Sequence, residues 1–295
     1  MLSPAAILAR ALRFAPAPYT VMLTGKPGTG KSRLARIIHD ASPRANGPFI
    51  VVDVAALPTS LFESELFGYA KGAFTGANTA KPGLVTAADR GTLFIDEIGE
   101  LTQDIQAKLL RLSQEHVYTP VGGVKPISAD VRIIAATNKP QSAFRDDLYD
   151  RLAVLTVELP TLRDRGDAVQ LAEDFLPTLA EELDRDFVLC HQTRTAIAAR
   201  PWPGNVRELH NALRLAAVMS DDGVLRLDCE KARDDGGWMT LDEITSSTGK
   251  SEKTIQRMVL RGEIETNDAY GKGRRYRLVG ATKGATIAVA GATAN

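Results

Sequence analysis

The chain has 295 residues, 44% of them hydrophobic, which is enough to bury a sizeable core and to build one large domain with a smaller one beside it. Lys and Arg number 36 and Asp and Glu number 36, so no global field draws the protein to nucleic acid or to an anionic membrane, and any such binding has to come from a local patch. Cys190 and Cys229 are too few for a disulfide framework and lack metal-ligand spacing, which predicts a cytoplasmic setting; no signal peptide or membrane span fits the N-terminal stretch, where Arg10 and Arg13 interrupt a mildly apolar run.

Apolar residues at Ile7, Leu8, Ala11 and Leu12, followed by Pro16 and Pro18, predict an amphipathic helix over residues 5–14. Residues 19–23 read as a buried strand and residues 31–40 as a helix. Between them stands Gly25-Lys26-Pro27-Gly28-Thr29-Gly30-Lys31-Ser32, which fits the phosphate-loop pattern G-x-x-x-x-G-K-[ST] at every defined position. Its glycines let the backbone curl with N–H groups inward, so that loop and helix N-terminus form a nest for a triphosphate. Lys31 is then expected to reach the β- and γ-phosphates of ATP, and the Ser32 hydroxyl to take one place on Mg²⁺.

A second strand is predicted over residues 49–54 and a helix over residues 58–66. Residues 65–77 (ELFGYAKGAFTGA) then pack three glycines and three aromatics together, and neither the helical nor the strand period runs through them. Gly72 and Gly76 bracket Phe74 and Thr75, a spacing that fits equally a mobile hairpin tip presenting one aromatic to a partner and a buried turn with Phe74 in the core. Residues 91–97 (GTLFIDE) form an apolar strand ending in Asp96 and Glu97. An ATPase needs one carboxylate there to organise Mg²⁺ and one to polarise the attacking water.

After a helix over 105–114 and a Gly122-Gly123 loop, the strand 131–137 delivers Thr137 and Asn138 to the same sheet edge, within reach of the γ-phosphate. Residues 144–152 form a short helix bearing Arg145 and Arg151, which on spacing alone are solvated arginines. Residues 153–159 are the last strand. From Thr161 onward the reading is all-helical, with helices over 167–183, 192–200 and 205–219 and Trp202-Pro203-Gly204-Asn205 as turn and cap.

These patterns predict a doubly wound α/β domain over 1–160 and a helical lid over 161–228. A linker follows over 229–238, then a DNA-binding unit over 239–280 and a disordered tail over 281–295. In that unit, helices over 241–248 and 251–261 around Gly249 make a helix-turn-helix, followed by a Gly-rich hairpin over 267–279. Its local basic bias is the footprint of a phosphate backbone. The residues it offers to double-stranded DNA are Lys250, Ser251, Lys253, Thr254 and Arg257, with Arg274 and Arg275 in the hairpin.

Taken together, the motifs resemble the AAA+ ATPases of the bacterial enhancer-binding proteins, the activators of sigma-54 RNA polymerase. The resemblance runs from about residue 5 to residue 219. It includes ELFG at 65–68, GTLFIDEIGEL at 91–101, ATN at 136–138, FRDDLYDRL at 144–152 and WPGNVREL at 202–209. Its most specific element is Gly72-Ala73-Phe74-Thr75-Gly76-Ala77, the GAFTGA with which that family touches the sigma factor.

The resemblance implies Asp96 and Glu97 in the second nucleotide motif, Thr137 and Asn138 as γ-phosphate sensor, and Arg207 as the lid arginine that reports nucleotide state. It also makes Arg145 and Arg151 fingers offered to a neighbouring subunit, hence a homo-oligomeric ring, a hexamer. Ser32 stands where the family commonly has Glu. Asp53 stands where it usually has an Asn that restrains the catalytic glutamate; a carboxylate cannot donate that hydrogen bond to Glu97 unless protonated, so the restraint does not follow here. The family's N-terminal sensor domain has no counterpart in the sequence, and the C-terminal unit looks more like a winged helix.

Two functions of different class fit: an ATP-driven sigma-54-dependent activator, and an ATPase of a mobile element acting on another DNA-bound partner in replication or mobility. A catalytically silent DNA-binding regulator is a third, and intact Lys31, Asp96, Glu97 and both finger arginines speak against it.

Overall fold

The computed structural model describes residues 3–56, 58–227, 241, 244–245, 250–261, 264–266 and 276–278, and the chain divides at Leu227 into two units. Helix α1 (Pro4–Phe14) is started by the Ser3 hydroxyl, which accepts the Ala6 amide at 3.2 Å, and by a proline where no N–H is needed. Strand β1 (Val21–Thr24) leads through the glycine-rich turn into α2 (Lys31–Asp40), and β2 (Phe49–Asp53) follows. Helix α3 (Thr59–Phe67) stops where Gly68 takes a φ of 73°, and strand β3 (Gly68–Tyr69) then pairs antiparallel with β4 (Lys81–Pro82). The helix thus runs one residue past the expected residue 66, and residues 68–69, where neither period is legible, form half of a short stem.

After α4 (Leu84–Ala87) come β5 (Thr92–Asp96) and α5 (Gln103–Glu115), then the hairpin of β6 (Val117–Tyr118) and β7 (Ile127–Ser128). Strand β8 (Arg132–Thr137), helix α6 (Asp146–Leu152) and strand β9 (Leu155–Glu158) complete the α/β part.

Five strands form one parallel sheet in the order β2-β5-β8-β1-β9. Parallel neighbours need crossovers, the crossover helices cover both faces at the middle of the sheet, and so the central strands β5, β8 and β1 are buried almost throughout. On β5, Leu93 and Ile95 pack with Phe62, Phe67 and Leu109 on one face, while Phe94 packs with Val21, Leu23 and Ile38 on the other. Because every strand runs the same way, Thr24, Asp53, Asp96 and Thr137 arrive at a single edge, with Thr24 opposite Thr137 and Asp53 opposite Asp96.

Beyond the sheet lie α7 (Leu162–Arg165), α8 (Ala168–Leu183), β10 (Val188–Leu189), α9 (His191–Ala199), α10 (Asn205–Val218) and β11 (Val224–Leu225). The lid is thus not all-helical. Val188 and Leu189 pair in parallel with Val224 and Leu225, and Leu189 and Leu225 are buried in the same core as Trp202, Leu209 and Leu213. Each segment sends one leucine into the core, and pairing with each other satisfies the main-chain groups that this brings in with it.

In the second unit, Leu241, Ile244 and Thr245 are helical, α11 (Glu252–Leu260) follows, and β12 (Ile264–Thr266) pairs antiparallel with β13 (Tyr276–Leu278). Ile244, Ile255, Met258, Ile264 and Tyr276 form its core. The hairpin begins ahead of the expected residue 267, since the buried Ile264 belongs to its first strand. The linker over 229–238, Gly249, Arg274, Arg275 and the tail lie outside the described residues. No helix among the described residues is long and apolar enough to cross a membrane.

Candidate functional site

The glycines at 25, 28 and 30 have φ of 148°, 75° and 103°, values that L side chains adopt at a cost. A Cβ at Gly25 would lie 2.5 Å from the Leu159 carbonyl oxygen and one at Gly28 2.3 Å from that of Gly204, whereas one at Gly30 would meet nothing within 4 Å. The open space beside Gly30 sits at the start of α2, which has no side-chain cap, so its first N–H groups are available to an anion. Thr29 Oγ1 donates to the Lys26 carbonyl at 2.8 Å and fixes the curl, while Lys26 and Pro27 face solvent. Lys31 is only 6% exposed; its Nζ donates to the Gly25 carbonyl at 3.0 Å and lies 3.7 Å from Glu97 Oε1.

At the end of β5, Ser32 Oγ donates to Asp96 Oδ2 at 3.0 Å and Asp96 Oδ1 accepts the Glu97 amide at 3.0 Å. Two hard oxygen donors side by side at the phosphate loop suit Mg²⁺. Glu97 takes a left-handed φ of 55°, and its Oε2 is buried with no protein partner. Such strain costs about 1–3 kcal/mol and is held only where the surroundings over-determine it. The unmatched oxygen can accept a hydrogen bond from water. At the end of β8, the buried Thr137 accepts the Gly25 amide on its carbonyl at 3.2 Å and the Lys139 amide on its hydroxyl at 2.9 Å; Asn138, next along, is exposed. Beside Thr29 and Gly30 a cavity of about 190 Å³ is walled by Ile7 and Leu8 of α1, Ile37 of α2 and Leu171 and Val206 of the lid. An apolar slot next to an anion nest fits a base and its phosphates, so the residues present fit a magnesium nucleotide.

Asp53 spends one carboxylate oxygen on its own turn, accepting the Ala55 amide at 2.9 Å. The arginines at 145 and 151 make their bonds away from the phosphate loop. Arg145 forms a bidentate pair with Asp147, at 3.0 and 2.8 Å, which holds the Asp147 carboxyl below the usual carboxylate range and raises the guanidinium. Arg151 donates twice to the Ser113 carbonyl, at 3.3 and 2.9 Å. Arg207 is exposed on α10, with its Cβ 3.3 Å from where a Gly28 Cβ would stand.

The structure adds one residue to this edge. The expected capping role of Asn205 is not what it does: its side chain bonds the Pro27 carbonyl and the Leu162 amide, and α10 instead has Glu208 reaching back to the Gly204 amide at 2.8 Å. A contact spanning 178 residues leaves no local signal; Asn at a left-handed position is the only trace of it.

In residues 72–77 the Gly72 amide donates to the Ala77 carbonyl at 2.8 Å and the Ala77 amide to the Phe74 carbonyl at 3.0 Å. Phe74 is 47% exposed, its ring 4.9 Å from that of Tyr69, and Gly72, Thr75 and Gly76 are exposed while Ala73 is half-buried. The alternative of a turn with Phe74 in the core does not hold. Ala77, expected among the partner-facing residues, is 4% exposed; it closes the loop from inside. The loop's base is braced by Val121, which exchanges main-chain hydrogen bonds with Gly68 and Ala70 at 2.9 Å.

Lys250 and the N-cap Ser251 ahead of α11, and Lys253 and Arg257 on it, are exposed; Thr254 is half-buried, its hydroxyl 3.0 Å from that of Ser251.

Residues 3–158 match the family described as the sigma-54 interaction domain, and residues 163–229 that described as the AAA+ ATPase lid domain. The chain is similar to the DNA-binding transcriptional regulator NtrC of Rhizobium meliloti, 48% identical over 216 residues, which are 70% of this chain and 44% of that protein. It is similar to the Nif-specific regulatory protein of Azospirillum lipoferum, 46% identical over 227 residues, 75% of this chain and 36% of that one. It therefore spans less than half the length of these relatives. Among solved structures, NtrX from Brucella abortus in complex with ATP superposes with a TM-score of 0.68 at 29% identity, covering 89% of this chain and 63% of that one. The ADP complex gives 0.69 at 25%, covering 88% and 69%.

Proposed function

Since the chain belongs to the sigma-54 interaction domain family and is an AAA+ ATPase, we propose that it is an ATP-driven transcription activator that remodels sigma-54 RNA polymerase through residues 72–77. The observation that carries this reading is the loop itself: a GAFTGA whose Phe74, Thr75 and flanking glycines face solvent on a braced two-stranded stem. A large aromatic left half-exposed at a loop tip is available to a partner.

Lys31 and the amides of the loop would hold the phosphates, Ser32 and Asp96 would hold Mg²⁺, and Glu97 would orient and polarise the attacking water. When bound, the metal neutralises charge on the transferring phosphoryl group. Thr137 keeps the loop seated against β8, and with Asn138 beyond it would sense the γ-phosphate. Arg145 and Arg151 bond outside their own subunit's nucleotide edge, which supports their acting on a neighbour's site in a homo-oligomeric ring, a hexamer. Residues 1–160 form the ATPase part and 161–228 the lid, and a cytoplasmic setting goes with this function. The unit over 239–280, with Lys250 and Ser251 leading into α11 and Lys253, Thr254 and Arg257 on it, would bind double-stranded DNA, and the Arg274 and Arg275 segment would extend the basic surface.

Transcription from a sigma-54 promoter in vitro, with and without this protein and ATP, tests the reading. ATP-dependent open complexes are the expected result. Full ATPase activity with no open complexes would instead favour an ATPase working on another DNA-bound partner.

A further inference from the structure

The lid does more at this edge than cover it. Asn205 opens α10 with a φ of 55° and is 1% exposed. Its Nδ2 donates to the Pro27 carbonyl at 2.9 Å and to that of Pro203 at 3.4 Å, and its Oδ1 accepts the Leu162 amide at 2.9 Å. Which end of the amide points where follows from the partners, since a carbonyl can only accept and an N–H only donate. The next residue adds a main-chain bond, the Val206 amide to the Gly28 carbonyl at 2.9 Å. Two consecutive carbonyls of the phosphate loop are thus held by the first two residues of one lid helix. Gly28 is closed against the same helix, with no room for a Cβ beside the Gly204 oxygen.

In a trans peptide the C=O and N–H point in opposite directions, and none of the peptides here is cis. Turning the Pro27 and Gly28 carbonyls outward to the lid therefore turns the Gly28 and Thr29 N–H groups inward, the orientation an anion nest requires. We propose that Asn205 is a positioning residue for nucleotide binding: together with the Val206 amide it clamps the phosphate loop from the lid and presets two of the N–H groups that receive the phosphates. This rests on the nucleotide site above and extends it to a residue outside the phosphate loop. By linkage, a nucleotide that tightens the loop must tighten the clamp to the same degree, so occupancy is read by the lid through this contact.

The test is Asn205→Asp in the full chain, with MgATP binding followed by a fluorescent ATP analogue. The aspartate keeps an acceptor for Leu162 but cannot donate to Pro27, and so removes only the loop half of the clamp. Losing one hydrogen bond at a preset site predicts a Kd raised about tenfold, with kcat at saturating ATP within about threefold, and wild-type affinity restored in none of the acidic or apolar replacements. Asn205→Gly tolerates the backbone angle and removes both halves. It should show the same affinity loss together with a lower Tm, and it serves as the test if the aspartate variant folds poorly. Backbone exchange supplies a readout that a purely structural role would not move. The Val206 amide should gain protection on MgATP binding in the wild type and lose that gain in Asn205→Asp. Unchanged Kd and unchanged protection in folded variants would overturn the clamp while leaving the nucleotide site intact. A wild-type protein that binds no MgATP would overturn the site, and the clamp with it.

Discussion

At the carboxyl edge of the sheet, the phosphate loop and the groups beside it are held by contacts from several elements. Asp96 is engaged on both oxygens, Thr137 holds Gly25, Asn205 holds Pro27, and Lys31 is buried against a carbonyl. At residues 72–77 short-range main-chain bonds, among them Gly72 to Ala77 and Ala77 to Phe74, and one ring contact close a loop whose outer side chains face water. The difference follows from the two tasks. Catalysis needs groups fixed before the reaction, because reorganising them during it costs rate. A loop that grips a partner in one nucleotide state and releases it in another needs two arrangements of similar energy, which a closely packed, multiply bonded segment does not have.

The sharpest way to break this comparison is to ask whether the edge is complete in one subunit. Arg145→Ala and Arg151→Ala should each cut turnover by about 10³ to 10⁵, with little loss of folding, since the bonds removed go to Asp147 and to the Ser113 carbonyl. Mixing either variant with Glu97→Gln subunits should return some activity at hybrid interfaces, measured as phosphate release against subunit ratio. No rescue at any ratio would place the arginines in their own subunit's chemistry or in ring packing, and the edge would then be self-sufficient.

A smaller loss, about 10² to 10⁴, is expected of Glu97→Gln, the usual worth of a positioned general base. Lys31→Ala should also stop hydrolysis but by removing a phosphate contact, so only the glutamine variant should still bind ATP well. Equal loss of affinity in both, read by the same fluorescent analogue, would remove Glu97 from its role.

Legibility follows the same division. The edge could be read from the sequence because its parts lie at strand ends, and buried parallel strands such as residues 92–96 and 132–137 announce themselves as apolar runs. What escaped are elements too short to have a period. The lid pair of Val188–Leu189 and Val224–Leu225 has two residues on each side, and the β6–β7 hairpin around Gly122 is no longer per strand. Asn205 escaped for another reason: an Asn after Pro-Gly before a helical run reads as a cap, and only the folded chain brings Pro27 to it. The 72–77 loop is the converse case. Glycine spacing left its exposure undecided, and residue identity alone, through resemblance, pointed to a partner; the structure then separated exposed Phe74 from buried Ala77.

Gly28→Ala tests how tightly the edge is determined. The left-handed φ costs a residue with a side chain about 1–2 kcal/mol, and the added methyl would stand 2.3 Å from the Gly204 oxygen, so the lid must move. The expected outcome is a Tm lowered by several degrees together with weaker MgATP binding. Gly30→Ala faces the same backbone penalty but open space, so it should lose less stability. Equal losses would show that the lid yields freely and that the edge is less constrained than its contacts suggest.

The smallest effect on the folded protein, and the most informative one for function, is expected of Thr75→Ala. Thr75 stands exposed between Phe74 and Gly76 and takes no part in the core or the nucleotide edge. Its replacement should change stability by no more than about 0.5 kcal/mol, as surface substitutions usually do, and basal ATP hydrolysis should stay near wild type. What it should remove is capture of sigma-54 in the presence of ADP and aluminium fluoride, and with it open-complex formation. A ring can do work on a partner only if the nucleotide state changes how strongly the loop holds it. The loss should therefore appear with the transition-state analogue and be absent with ADP alone, where the wild type also holds weakly. If Thr75→Ala captured the factor as well as wild type, the contact would rest on Phe74 and the stem, and Phe74→Ala would have to abolish it. If neither substitution mattered, the exposed loop would have lost its claim to the partner, whatever its sequence.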